Sequence, residues 1–243
     1  MDNDIILEVE EIQTFIGQFH ILEGVSLQVK RGSITVLLGR NGAGKTTTLK
    51  SILGLTPPRH GVVRFDGQEI QGRRAYDIAA MGIGYVPEHR AIFRNLSVAE
   101  NLKIAERKKG DLDRKADFIF GLFPDLKRLI RLPGNHLSGG QQQMLAVARA
   151  LVPDNKLLLI DEPSEGLAPI LIEQMMAAIR DLSATTTILL VEQNFIMASQ
   201  LGQSYYILDD GRSVNQGQMA DLVKDKELVH RLLGAAARTG EAS

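Results

Sequence analysis

The chain has 243 residues, of which 44% are hydrophobic and 23% charged, with a formal net charge of −1 and no cysteine. That is the make-up of an ordinary globular protein, long enough for one large domain or for a core with an inserted subdomain. It excludes disulfides and thiolate metal sites, makes no electrostatic case for nucleic acid or an acidic membrane surface, and holds no apolar run near the ~18 residues of a membrane span. A reducing cytosol is compatible with the missing cysteines, and the acidic opening Met1-Asp2-Asn3-Asp4 is unlike a signal peptide. His20, His60, His89, His136 and His230 lack H-x-x-x-H spacing, which favours surface or packing roles.

Residues 5–9 and 25–29 are strand candidates with no helix between them, so antiparallel pairing is expected. Residues 34–38 form a short, partly β-branched apolar run that predicts a buried strand. It leads into Gly39-Arg40-Asn41-Gly42-Ala43-Gly44-Lys45-Thr46, which fits the phosphate-binding pattern G-x-x-x-x-G-K-[ST]. Helix is predicted from Thr47 onward, with Gly54 as its stop. Free N–H groups and the helix dipole make such a strand–loop–helix an anion site. In it the backbone from Gly39 to Thr47 cradles a nucleotide, Lys45 reaches the β- and γ-phosphates and the Thr46 hydroxyl ligates Mg²⁺. A tight structural turn is the alternative; a chance match in this length is about one in a hundred.

Residues 61–65 run into the tight-turn dipeptide Asp66-Gly67, which completes a small antiparallel layer leaning on the phosphate-loop core. Residues 83–86 are a short strand ended by Pro87. From Glu88 to about Val152 the character turns helical. Ser97 and Glu100 fit a capping box, residues 112–123 are amphipathic with Pro124 as a stop, and residues 141–151 form a helix ended by Pro153. This block, 88–152, is expected to be a helical subdomain inserted between 1–87 and 153–243 of an α/β core. The last third alternates: strand at 157–160, helix opening at Pro169, strand at 186–191, helix at 194–201, strand at 205–208, then a turn at Asp209-Asp210-Gly211. Such alternation implies a mostly parallel sheet covered on both faces, and the polar tail from Thr239 is expected to fray.

Asp161 and Glu162 end the apolar strand, where α/β proteins place ligands. Beside a phosphate loop, Asp161 suits Mg²⁺ and Glu162 suits a general base that polarises the attacking water. Leu137-Ser138-Gly139-Gly140-Gln141 abuts a helix, and its N–H groups with the Ser138 hydroxyl make a second anion site. Two phosphate-binding helix starts on one chain serve a two-fold dimer well, each phosphate loop facing the 138–140 loop of the other subunit.

In these motifs the sequence resembles the ATP-binding subunits of ABC transporters, and Leu137 to Gln141 matches their signature. The resemblance spans nearly the whole chain. Within the family, Asp161-Glu162-Pro163-Ser164, Gly166-Leu167-Ala168-Pro169, Val191-Glu192-Gln193-Asn194 and Gly84-Tyr85-Val86-Pro87-Glu88 resemble the LivF type, one of two ATPase subunits of branched-chain amino acid importers. The resemblance implies a P-loop NTPase with a RecA-like, mostly parallel sheet, hydrolysing ATP with Mg²⁺ on the cytoplasmic face of the membrane. It implies transmembrane permease subunits, a second ATPase subunit (a different chain or a second copy) and, indirectly, an extracytoplasmic solute-binding protein, with no nucleic acid. Lys45, Thr46, Asp161 and Glu162 would act in cis and Ser138 and Gly140 in trans, with Gly139 and Gln141 also counted among the nucleotide-binding residues.

Three positions depart from the broad family pattern. Glu88 stands where most members have the Gln that senses the γ-phosphate beside the metal, Gln193 where most have a His touching that phosphate, and Ala168 where most have Asp. The resemblance puts the adenine-stacking aromatic near Ile16, and Phe15 beside it is the candidate. A soluble ABC ATPase working on ribosomes or DNA usually has two cassettes or a long coiled-coil insertion, and neither is present. A plain P-loop kinase leaves residues 137–141 unexplained.

Overall fold

The central strands carry apolar residues on both faces, so the sheet they form is covered on both sides. A computed structural model describes residues 4–234; the expected fraying from Thr239 lies outside them. The chain opens with β1 (Ile5–Ile16) and β2 (Phe19–Lys30), an antiparallel pair, then β3 (Ile34–Gly39) and α1 (Lys45–Ile52). β4 (His60–Phe65) and β5 (Gln68–Glu69) follow, joined by a two-residue turn with positive φ at Asp66 and Gly67. α2 (Ala75–Ala80) and β6 (Ile83–Val86) lead into α3 (Val98–Ile104), α4 (Asp111–Leu122), α5 (Pro124–Arg128) and α6 (Gly139–Leu151). The remainder is β7 (Leu157–Asp161), α7 (Pro169–Ser183), β8 (Thr187–Glu192), α8 (Phe195–Leu201), β9 (Ser204–Asp209), β10 (Arg212–Gln218), α9 (Met219–Leu222) and α10 (Lys226–Leu233).

The first sheet is antiparallel in the order β2-β1-β4-β5. The second has the order β10-β9-β3-β8-β7-β6, parallel throughout except for the β9–β10 hairpin. Period-two alternation sorts its side chains into two cores. Leu158, Ile160, Ile188 and Leu190 pack with the helices α6, α7 and α8, whereas Leu157, Leu159, Leu189 and Val191 pack with α1 and the antiparallel layer. Helices α3 to α6 do not bury themselves apart: Leu102, Phe123, Met144 and Leu145 belong to the same cluster as the sheet face.

The capping box at Ser97 forms as expected, with Ser97 accepting from the Glu100 N–H and Glu100 accepting from the Ser97 N–H. α4 ends at Leu122 with Phe123 outside helical angles, so the stop expected at Pro124 is there; Pro124 then opens the separate helix α5 at its first position, where a missing N–H costs nothing. No described helix is long and apolar enough to cross a membrane.

Candidate nucleotide site

The carboxyl ends of β3, β6, β7 and β8 lie side by side, and the polar groups that line the site follow from them. The chain leaves β3 through a loop that turns into α1 at Gly44, whose φ of +98 is open to glycine. A Cβ there would also meet the Leu22 side chain at 2.6 Å. α1 therefore starts without a side-chain cap, and its first residues line an open cavity of about 440 Å³.

Asn41, Gly42, Gly44, Lys45, Thr46 and Thr47 line that cavity. Gly39 and Arg40 turn their carbonyls to the Lys45 ammonium, at 2.9 and 3.1 Å, and Ala43 is buried beneath the loop. Lys45 Nζ also bridges to Glu162 Oε1 at 3.0 Å, with both side chains under 10% exposed. Such a pair is stable only with further hydrogen bonds, which the two carbonyls supply. Glu162 sits in the left-handed region at φ +43, held by its N–H to Val191 O at 2.9 Å. A strained residue at the end of a strand is a frequent mark of a functional group.

Asp161 is fully buried behind them. The Thr46 hydroxyl donates to its Oδ1 and the Tyr85 hydroxyl to its Oδ2, both at 3.2 Å. Burial raises the Asp161 carboxyl above the usual carboxylate range, against the pull of those two hydrogen bonds. Burial, with Asp161 beside it, likewise raises the Tyr85 phenol. Glu88, from the end of β6, lines the cavity together with Glu165. The Glu165 carboxyl is raised chiefly by a hydrogen bond shared with Glu88. Both stand on the wall common to a second cavity of about 480 Å³, which reaches Arg90, Arg94 and Gln142 of the helical layer.

Other expected residues lie elsewhere. Phe15 does not line the cavity: its ring stacks on His20 at 4.1 Å with Arg59 against it, while Ile16 and Ile21 form the apolar wall. Gln193 is half-buried and outside the cavity lining. Ser138, Gly139, Gly140 and Gln141 also lie outside it. Ser138 caps α6, accepting from the Gln141 N–H, while Gln141 accepts from the Ser138 N–H. Gly140 is pressed against α7, where a Cβ would meet Leu171 at 2.2 Å. Tyr85 and Glu192 were quoted in the sequence only within stretches that resemble the family and were given no role; Tyr85 holds Asp161, and Glu192 closes β8 beside the site.

Known proteins are similar to this chain over most of its length. The ABC transporter family model matches residues 22–165. The high-affinity branched-chain amino acid transport ATP-binding protein BraG of Pseudomonas aeruginosa is 39% identical over 232 residues, covering 94% of this chain and 100% of the relative. The probable branched-chain amino acid transport ATP-binding protein LivF of Archaeoglobus fulgidus is 36% identical over 235 residues, covering 94% and 99%. A solved nucleotide-free ATP-binding cassette from an ABC transporter matches with a TM-score of 0.82 at 25% identity, over 93% of this chain and 97% of that one. A phosphate loop with its lysine held by a strand-end glutamate, a capped 138–141 helix start and full-length likeness to these subunits converge: the chain belongs to the ABC transporter family, as one of its ATP-binding, ATP-hydrolysing subunits.

Proposed function

We propose that this chain powers uptake of branched-chain amino acids, hydrolysing Mg–ATP at the cytoplasmic face of a membrane in complex with permease subunits and a second, non-identical ATPase subunit. A solute-binding protein outside the membrane would deliver the cargo. The observation that carries the reading is the Lys45–Glu162 pair at 3.0 Å on the wall of the P-loop cavity. The solute class comes from the two amino acid transport relatives alone.

In this reading Lys45 exchanges Glu162 for the β- and γ-phosphates, and Glu162, so released, accepts a proton from the attacking water. Thr46 and Asp161 suit Mg²⁺ because both offer oxygen, within 3.2 Å of each other. Among the described residues no group of three or more His, Cys, Asp or Glu could hold a metal, so the ion would complete its shell with phosphate and water, with Glu88 close by. Bound there it neutralises charge on the phosphates. Gln193 is assigned to the γ-phosphate, from a loop beside the cavity. Ser138, Gly139, Gly140 and Gln141 serve the nucleotide of the other subunit, which fits their position outside the cavity of their own chain. Loss of the γ-phosphate then removes the contact that holds the pair closed.

The test is reconstitution with the permease, sister subunit and binding protein in vesicles. Leucine, isoleucine or valine on the outside should raise ATP hydrolysis, and Lys45→Ala should abolish the response. Hydrolysis that ignores every branched-chain amino acid would overturn the solute assignment. Tight homodimers by light scattering without nucleotide, with rapid turnover alone, would overturn the hetero-pair.

A further inference from the structure

β8 ends on a carboxylate to which hydrolysis as described gives no task. Glu192 is 0% exposed and accepts three hydrogen bonds: from the Ser164 N–H on Oε1 at 3.2 Å, and on Oε2 from the Ser164 hydroxyl at 3.0 Å and the Asn194 N–H at 3.1 Å. Burial pushes the carboxyl up to about 7 in spite of these donors. An ionisable group kept in so unfavourable a place has to be read by what it fastens.

It fastens two loops to one strand end. One begins at Glu162 and closes on itself through the Glu165 N–H to Glu162 O and the Leu167 N–H to Ser164 O, both 3.2 Å. The ties of this loop to β8 are the Glu162 N–H on Val191 O and the doubly held Ser164 on Glu192. The other loop carries Gln193, and its Asn194 caps α8 through the Met197 N–H. Glu162 lies in a conformation that persists only where its surroundings dictate it, and Ser164 is two residues away.

We propose that Glu192 is a positioning residue for ATP hydrolysis: through Ser164 it fixes the backbone of loop 162–168, and so the direction of the Glu162 carboxylate, and through Asn194 it holds the Gln193 loop in the same register. The proposal rests on Glu162 being the general base. Glutamine cannot take over this task. Donors occupy both carboxylate oxygens, so whichever way the amide is placed its NH₂ meets a backbone N–H, that of Ser164 or that of Asn194.

The experiment is steady-state ATP hydrolysis by the full chain in its transporter assembly, for wild type, Glu192→Gln, Ser164→Ala and the double variant, each checked by thermal melting. A misplaced base should lower kcat by ~10- to 100-fold while KM for Mg–ATP stays within about twofold, since substrate binding is left alone. Ser164→Ala should lose kcat in the same direction, and the double variant should be no worse than Glu192→Gln, because both act on one path. Ser164→Ala carries the test alone should Glu192→Gln not fold. Folded variants with kcat unmoved, or losses that multiply in the double variant, overturn the proposal by itself. A wild type no faster than Lys45→Ala overturns the hydrolysis reading, and this proposal falls with it.

Discussion

At α1 the helix start carries no side-chain cap, and the groups around it are polar or charged, largely buried and turned on one another: Lys45 on Glu162, Thr46 on Asp161. At α6 the helix start is closed by its own capping box, Ser138 with Gln141, and its glycines are pressed against neighbouring side chains, Gly139 by Arg90 and Gly140 by Leu171. The sequence makes both look like phosphate sites. Physically they differ, because one pairs an ammonium and carboxylates beside an open cavity, where a ligand can exchange for either partner, and the other closes on neutral groups. In the proposed reading the first serves the reaction and the second the assembly with another subunit.

The largest effect that could break this division is at Glu162. Glu162→Gln keeps shape but not basicity, so single-turnover hydrolysis should slow by 10²- to 10⁴-fold with Mg–ATP binding retained. Near-normal turnover would remove the α1 end from the chemistry.

A smaller effect is the pH dependence of stability that the buried charge near α1 imposes. Burial holds Glu192 protonated up to about 7, with repulsion from Glu162 adding a little, whereas the ordinary value is 4.5. Between those values the folded state binds more protons than the unfolded state, so its stability falls as pH rises through the window and levels above it. The loss is up to about 3 kcal/mol, at 1.36 kcal/mol per unit. Urea unfolding of wild type against Glu192→Gln at pH 5 and pH 8 checks it: the gap between the two should change with pH. A constant gap would mean that the carboxylate is already ionised at pH 5.

The smallest effect sharpens the α6 side. Ser138→Ala removes a cap and should cost about 1 kcal/mol of stability. It should leave Mg–ATP affinity of the isolated chain unchanged and depress turnover only in the assembled transporter. Equal loss of affinity in the isolated chain would place Ser138 in its own subunit's site.

Much of this was legible because the P-loop needs its glycines and lysine at fixed spacing, and because the buried strands are continuous apolar runs. What stayed hidden had weak local signals. α2 begins at Ala75 with no side-chain cap, and β10 has Val214 as its one large apolar residue because it is an edge strand of the second sheet. Phe15 and Ile16 illustrate a finer limit. Neighbouring residues on a strand face opposite ways, so a choice between them is a choice of face, which strand register decides and composition does not. The role of Glu192 was hidden for another reason: its partner Ser164 lies 28 positions away, and only the pairing of β7 with β8 brings the two strand ends together.

The left-handed backbone at Glu162 bears on how the protein can be engineered. A residue other than glycine or asparagine at such an angle costs on the order of 1–3 kcal/mol. Gly or Asn at position 162 would relieve that strain but leave the buried Lys45 ammonium without its carboxylate, a loss of about 3–5 kcal/mol. Libraries selected for heat resistance should therefore keep Glu162 just as libraries selected for turnover do, and hardening this chain means working at other positions.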